Sequence, residues 1–192
     1  MPGKPVLSKR RAQTRERLVQ AATQVVAEHG FHAATVDRIA ERAGFSIGAL
    51  YSNFASKDEL LFAVFDGHLV WFQQRLQAAT DDENPESVLA RWMGSLAQEP
   101  DQFLVFIEFW AYAVRKAKVR KQFEKRMTQM RSAVAAAVTR RTEVTGTSPA
   151  LPPDLIALLA LAIGRGLALE KLVDAEAVPD EVIGDLLASM LG

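Results

Sequence analysis

Residues 35–57 read TVDRIAERAGFSIGALYSNFASK, and this stretch decides the fold. Val36, Ile39, Ala40 and Ala43 fall at i, i+3, i+4 and i+7, one apolar stripe on a helix that Thr35 can cap through its hydroxyl. Gly44 stops that helix, because glycine takes the left-handed conformation that a bulkier side chain resists, and Phe45 can fold back as an apolar plug. Ser46 offers a second N-cap, and Ile47, Leu50 and Tyr51 repeat the stripe on a helix of about two turns. Two helices joined by so tight a turn cross steeply, which is the helix-turn-helix geometry that pushes the second helix outward toward a DNA major groove.

Working outward, Ser46, Gly48 and Ala49 are small enough to let the backbone approach bases, while Tyr51, Asn53 and Lys57 lie where phosphates would pass. Ser56 and Glu59 form an S-x-x-E capping box for the next helix, whose first turn also carries Lys57. These features together resemble the DNA-binding domain of the TetR family of bacterial one-component regulators. The resemblance rests on T-V-D-R-I-A at Thr35 to Ala40, A-G-F-S-x-G-x-L-Y-x-N-F at Ala43 to Phe54, and S-K-D-E-L at Ser56 to Leu60. It covers Thr14 to about Leu61 strongly, and the remainder only in helical layout and length. Phe45 departs from it, standing where the family more often has a smaller β-branched residue. The candidate DNA contacts are therefore Thr35, Ser46, Ile47, Gly48, Ala49, Tyr51, Asn53 and Lys57.

The 192 residues, 49% of them apolar, suffice for one sizeable core or two small ones. A formal net charge of zero conceals a split: residues 1–57 hold nine Lys or Arg against four Asp or Glu, a net of +5, and residues 58–192 hold fourteen against nineteen, a net of −5. The positive end is the one with the helix-turn-helix. With no cysteine there is neither a disulfide framework nor a thiolate metal site. The N-terminus lacks a signal-peptide core, and Leu155 to Leu169 is interrupted by Arg165 and too short to span a bilayer, so a soluble cytoplasmic protein without a membrane partner is expected.

Residues 1–12, with Lys4, Lys9, Arg10 and Arg11 among two Pro and a Gly, read as a flexible basic arm, either a disordered terminus or a DNA contact. From Thr14 the pattern turns helical, with Leu18, Ala22, Val25, Val26 and His29 on one face, and ends at Gly30. Residues 13–57 then form a three-helix DNA-binding domain, and 58–192 a helical ligand-binding and dimerisation domain. The helix capped at Ser56 is expected to run to about Thr80. A further helix follows Pro85, and Phe103 to Val114 is apolar around nearly its whole circumference, as a helix buried on all sides would be. Lys116 to Glu143 places Val119, Phe123, Met127, Met130, Val134 and Val138 on one face and ends at Gly146. Asp154 to Val173 and Pro179 to Leu191 complete an all-α chain with no convincing strand.

The last two helices carry more apolar surface than one face needs, which either burial inside one chain or a homodimer through them would cover, and the homodimer is the arrangement that the family resemblance also implies. Trp92, Met93, Phe103, Phe106, Trp110 and Met127 have the make-up of a small-molecule pocket, and the resemblance implies one between these helices. Taken singly, each reads as plain core. Glu108 is a carboxylate inside the apolar run, either paired with a cation such as Arg75, Arg91 or Arg165 or acting as a polar anchor in that pocket. His29 and His32 straddle Gly30 and His68 stands alone on an apolar stripe, so all three read as structural and no metal is expected. No phosphate loop, nucleophile elbow or H-E-x-x-H pair is present, so neither an enzyme nor a cofactor is expected. The implied partners are a double-stranded DNA operator, a second copy of the chain and a small-molecule effector, and the resemblance implies repression relieved by that effector; the residues also fit a helical interaction module that has lost DNA, or a DNA-binding regulator without a small-molecule ligand.

Overall fold

A computed structural model describes residues 4–81, 100–146 and 148–179, together with 181, 182, 185, 186 and 189. Among these, seven helices are defined: α1 Lys4–Ala33, α2 Val36–Ala43, α3 Ile47–Asn53, α4 Lys57–Asp81, α5 Pro100–Arg115, α6 Ala117–Thr145 and α7 Pro153–Val173. The architecture is all-helical. The helix expected after Pro85 and most of the one expected from Pro179 to Leu191 lie outside the described residues.

The chain divides into two compact units, one of residues 1–68 and 101–120, the other of 69–100 and 121–192. The unit holding the helix-turn-helix is thus larger than residues 13–57, because the start of α4 and most of α5 pack into it. Leu18, Ala22, Val25 and Val26 of α1, Ile39 of α2, Leu50 of α3, Phe54, and Leu60, Leu61 and Phe65 of α4 are all completely buried. Phe109 of α5 joins them, edge-on to Phe31 at 5.6 Å and to Phe62 at 5.2 Å, and stacked on Phe65 at 4.7 Å. His68 is buried with its ring 5.2 Å from that of Phe106.

Local chemistry explains each break. Thr35 Oγ1 accepts the Arg38 N–H at the start of α2, and Gly44 closes it with φ 71° and ψ 33°. Phe45 N–H then reaches back to Ala40 C=O at 2.9 Å and Gly44 N–H to Glu41 C=O at 3.0 Å, the paired bonds of a Schellman motif. Ser56 Oγ accepts Glu59 N–H at 3.1 Å, while the Glu59 carboxylate reaches one residue further back than a capping box requires, to Ala55 N–H at 2.8 Å.

Four expectations are corrected here. α1 begins at Lys4, within the stretch read as an arm, since Pro5 falls in its first turn where a missing N–H costs nothing. His29 is exposed beside Glu28 rather than on the buried face. α5 is not buried all round: Phe103, Val105, Phe106, Phe109, Tyr112 and Ala113 are buried, but Trp110 and Val114 are exposed. On α3 only Leu50 of the expected stripe is buried, and Ile47 and Tyr51 face solvent. The stripe read on α6 is buried throughout, from Val119 to Val138.

The second unit contains most of α6 and all of α7. Ile156, Ala157, Leu161 and Ala168 form the buried side of α7, while Leu155, Leu158, Leu169 and Val173 are exposed. Arg165, half-buried, directs Nη2 at Met127 Sδ (3.7 Å) and Met130 Sδ (3.5 Å), and its guanidinium is pushed down to about 10 by burial, with Arg131 adding to the effect.

Candidate nucleic-acid interface

The outer face of α3 is made by what its neighbours leave uncovered. Ser46 caps the helix by accepting Ala49 N–H at 3.1 Å, and Leu50 and Phe54 anchor the inner side in the core. Ser46, Ile47, Gly48, Tyr51 and Ser52 are exposed, and Ala49 is half-buried. A side chain built on Gly48 would meet only Ser46 Oγ, at 3.8 Å. The helix therefore presents a low, open surface suited to close approach of a groove.

Three arginines of α1 hold this pair of helices in place. Arg17 Nη2 donates to Ala43 C=O at 3.1 Å with its guanidinium 4.7 Å over the Phe45 ring, closing the C-terminus of α2. Arg11 Nη2 donates to Ser52 C=O at 3.1 Å and Arg15 Nη1 to Asn53 C=O at 2.7 Å, closing the C-terminus of α3, with Arg15 also 4.0 Å over the Phe54 ring. Cations at the carbonyl ends of helices meet the negative pole of the backbone dipoles. The sequence places Arg15 and Arg17 on the face of this helix opposite Leu18, Ala22, Val25 and Val26. Their actual role has no local signal, because the partner carbonyls lie 38 and 26 residues away.

The remaining sequence candidates divide. Thr35 is exposed at the start of α2, its hydroxyl accepting Arg38 N–H. Asn53 is turned inward: Nδ2 donates to Ala49 C=O at 2.8 Å, and Oδ1 is buried. Lys57 Nζ donates to Phe31 C=O at 3.2 Å, so one of its three donors ties α4 to the residue that follows the break in α1 at the non-helical Gly30. Burial pushes the Lys57 ammonium below its ordinary value, Lys116 reinforces that, and Asp58 opposes it.

Phe31 is the centre of that joint. Its N–H donates to Glu108 Oε2 at 2.8 Å, its carbonyl accepts Lys57, and its ring lies 4.2 Å from Tyr112. Tyr112 Oη donates to Asp58 Oδ1, and Lys116 Nζ donates to Tyr112 Oη, both at 2.5 Å. Burial and the Asp58 hydrogen bond raise the Tyr112 phenol, and the bond to Tyr112 raises Lys116. Glu108 thus takes a backbone N–H, which neither the ion pair nor the pocket anchor expected for it supplies. Of the other candidate ligand residues, Phe103, Phe106 and Trp110 belong to the first unit and Met127 to the second, with Trp110 36% exposed. Trp92 and Met93 lie outside the described residues. Among the described residues, no group of three or more His, Asp or Glu could hold a metal ion, and no helix is long and apolar enough to cross a membrane.

Comparison with known proteins agrees with this geometry. The HTH-type transcriptional activator FasR of Mycolicibacterium smegmatis is 41% identical over 76 residues, 38% of this chain and 35% of that protein. The HTH-type transcriptional repressor KstR2 of Mycobacterium tuberculosis is 39% identical over 67 residues, 35% of this chain and 34% of that protein. The chain spans about a third of the length of each of these curated relatives. A transcriptional regulator from Rhodococcus sp. Rha1 superposes with a TM-score of 0.73 at 26% identity, over 92% of this chain and 95% of that one. Residues 18–64 match the bacterial regulatory proteins of the tetR family, and residues 83–192 match the C-terminal domain of BetI-type transcriptional repressors. With more than half its length in the second match and its helix-turn-helix in the first, the chain belongs to the tetR family of bacterial regulatory proteins.

Proposed function

We propose that this chain is a DNA-binding transcriptional regulator, working as a cytoplasmic homodimer that represses from a double-stranded operator and is released by a small-molecule effector. The observation that carries the reading is the outward face of α3, open at Gly48 and bordered by Tyr51. The tetR family consists of regulators, not enzymes. Repression is the sign named for KstR2 and for the family matched by residues 83–192, although FasR is named an activator. A second copy is supported by the exposed stripe of Leu155, Leu158, Leu169 and Val173, which recurs along one side of α7. Two readers ~34 Å apart would enter successive major grooves, and an effector that favours another spacing releases them. By linkage, an effector that weakens DNA binding tenfold binds ~1.4 kcal/mol less tightly when DNA is present.

The test is a mobility shift on the DNA upstream of the chain's own gene at about 0.15 M salt, with sedimentation of the free protein. A specific complex with Kd near ~10 nM and a two-copy particle are the expected results. Binding no tighter than ~1 μM to any duplex would sink the DNA reading. Tyr51→Phe and Lys57→Ala should each weaken binding to all sequences about equally. Lys57→Ala should also lower the slope of log K against log salt by about one, since two Lys57 donors remain for a phosphate. An unchanged slope removes Lys57 from the phosphate contacts.

A further inference from the structure

The polar side chains of α3 are engaged within the helix, and this restricts the base chemistry its outer face can offer. Ser46 Oγ accepts Ala49 N–H at 3.1 Å, Ser52 Oγ donates to Ala49 C=O at 2.8 Å, and Asn53 Nδ2 donates to that same carbonyl at 2.8 Å. Asn53 Nδ2 also donates to Ser52 Oγ at 3.3 Å, and Asn53 Oδ1 is buried. The amide that would pair bidentately with adenine is therefore turned away, and α3 has no Arg or Lys to fork onto guanine.

Beside the exposed hydroxyls of Ser46 and Ser52, what faces outward is Ile47, 43% exposed at the first position of α3, then Gly48 with no side chain, and Tyr51, 52% exposed. A single exposed Ile on an ordinary surface needs no explanation. Ile47 differs because it stands on the face that approaches DNA, cleared by Gly48 beside it, where Ser52 and Asn53 bond within the helix and only the Ser46 hydroxyl proton and the Tyr51 phenol are left to donate. In the major groove only thymine carries a methyl group, so an apolar side chain there distinguishes thymine from the other three bases.

We propose that Ile47 is a specificity-determining residue that packs on a thymine 5-methyl group, so that each half-site is read by methyl position in place of hydrogen bonds to guanine or adenine. The proposal rests on the reading that α3 enters the groove. Its test uses the full-length protein to enrich duplexes from a randomised pool at about 0.15 M salt. Each thymine of the enriched half-site is then replaced singly by deoxyuridine, which removes only the methyl.

At one or two positions the replacement should weaken wild-type binding about fourfold, the fold-change that burying one methyl group brings. Ile47→Ala, whose core is intact because the side chain is exposed, should bind thymine and uracil equally at that position, and Ile47→Val should keep part of the discrimination. The proposal is overturned if every replacement is neutral for the wild type, or if Ile47→Ala still prefers thymine. A pool that yields no duplex above non-specific affinity overturns the DNA reading itself, and this proposal with it.

Discussion

Gly48→Glu should weaken operator binding about 100-fold or more while raising the melting temperature. The two effects separate because Gly48 serves the approach to DNA and contributes nothing to packing. A Cβ at this position meets only Ser46 Oγ at 3.8 Å, so the fold accepts a side chain. Glycine inside a helix costs about 0.5–1 kcal/mol relative to alanine. α3 has no acidic residue in its first turn, so a carboxylate there also meets the positive end of the helix. Together these should raise the melting point by about 2–4 °C. On DNA the same side chain holds the backbone off the bases and sets a negative charge against phosphates, a loss of about 100-fold or more given what one base contact and one phosphate contact contribute. Gly48→Ala should gain most of the stability and lose less of the affinity. Calorimetry beside a mobility shift checks both, and an unchanged affinity for Gly48→Glu would move the reading surface away from α3.

The helix-turn-helix was legible because its signals are local. Thr35, Gly44, Ser46 and Ser56 act on backbone groups within four residues of themselves, so caps and breaks can be read off a single sequence. Which side of α3 faces out was not legible. Ile47, Leu50 and Tyr51 share one arc of about 100°, and the neighbours that cover Leu50 and leave the other two exposed lie elsewhere in the chain. The same limit hid the arginines of α1 and the role of Glu108, whose partner Phe31 is 77 residues away. A carboxylate in an apolar run signals that it has a partner, and the sequence offers two kinds, a cation and a bound ligand. A backbone N–H exposed by a glycine turn answers the same need, and no spacing rule identifies it.

That glycine turn carries the largest expected effect on stability. Gly30→Ala should cost about 3 kcal/mol, lowering the melting point by roughly 6–12 °C. Gly30 sits at φ 74° and ψ 169°, a region essentially closed to residues with a Cβ, so the backbone alone accounts for about 1–3 kcal/mol. The new Cβ would also stand 3.2 and 3.3 Å from the two Glu108 oxygens, so the carboxylate must give by a few tenths of an ångström, which weakens the bond it accepts from Phe31 N–H at 2.8 Å. Phe31 is 3% exposed, and weakening its hydrogen bond there costs up to a further ~1 kcal/mol. A double-mutant cycle separates the two parts. Glu108→Ala already forfeits the hydrogen bond and removes the obstruction, so in that background Gly30→Ala should cost only its backbone strain, with a coupling of about 0.5–1 kcal/mol between the sites. Strictly additive effects would mean that Glu108 does not hold the turn. A Gly30→Ala cost within about 0.5 kcal/mol of zero would mean that the turn does not need its glycine.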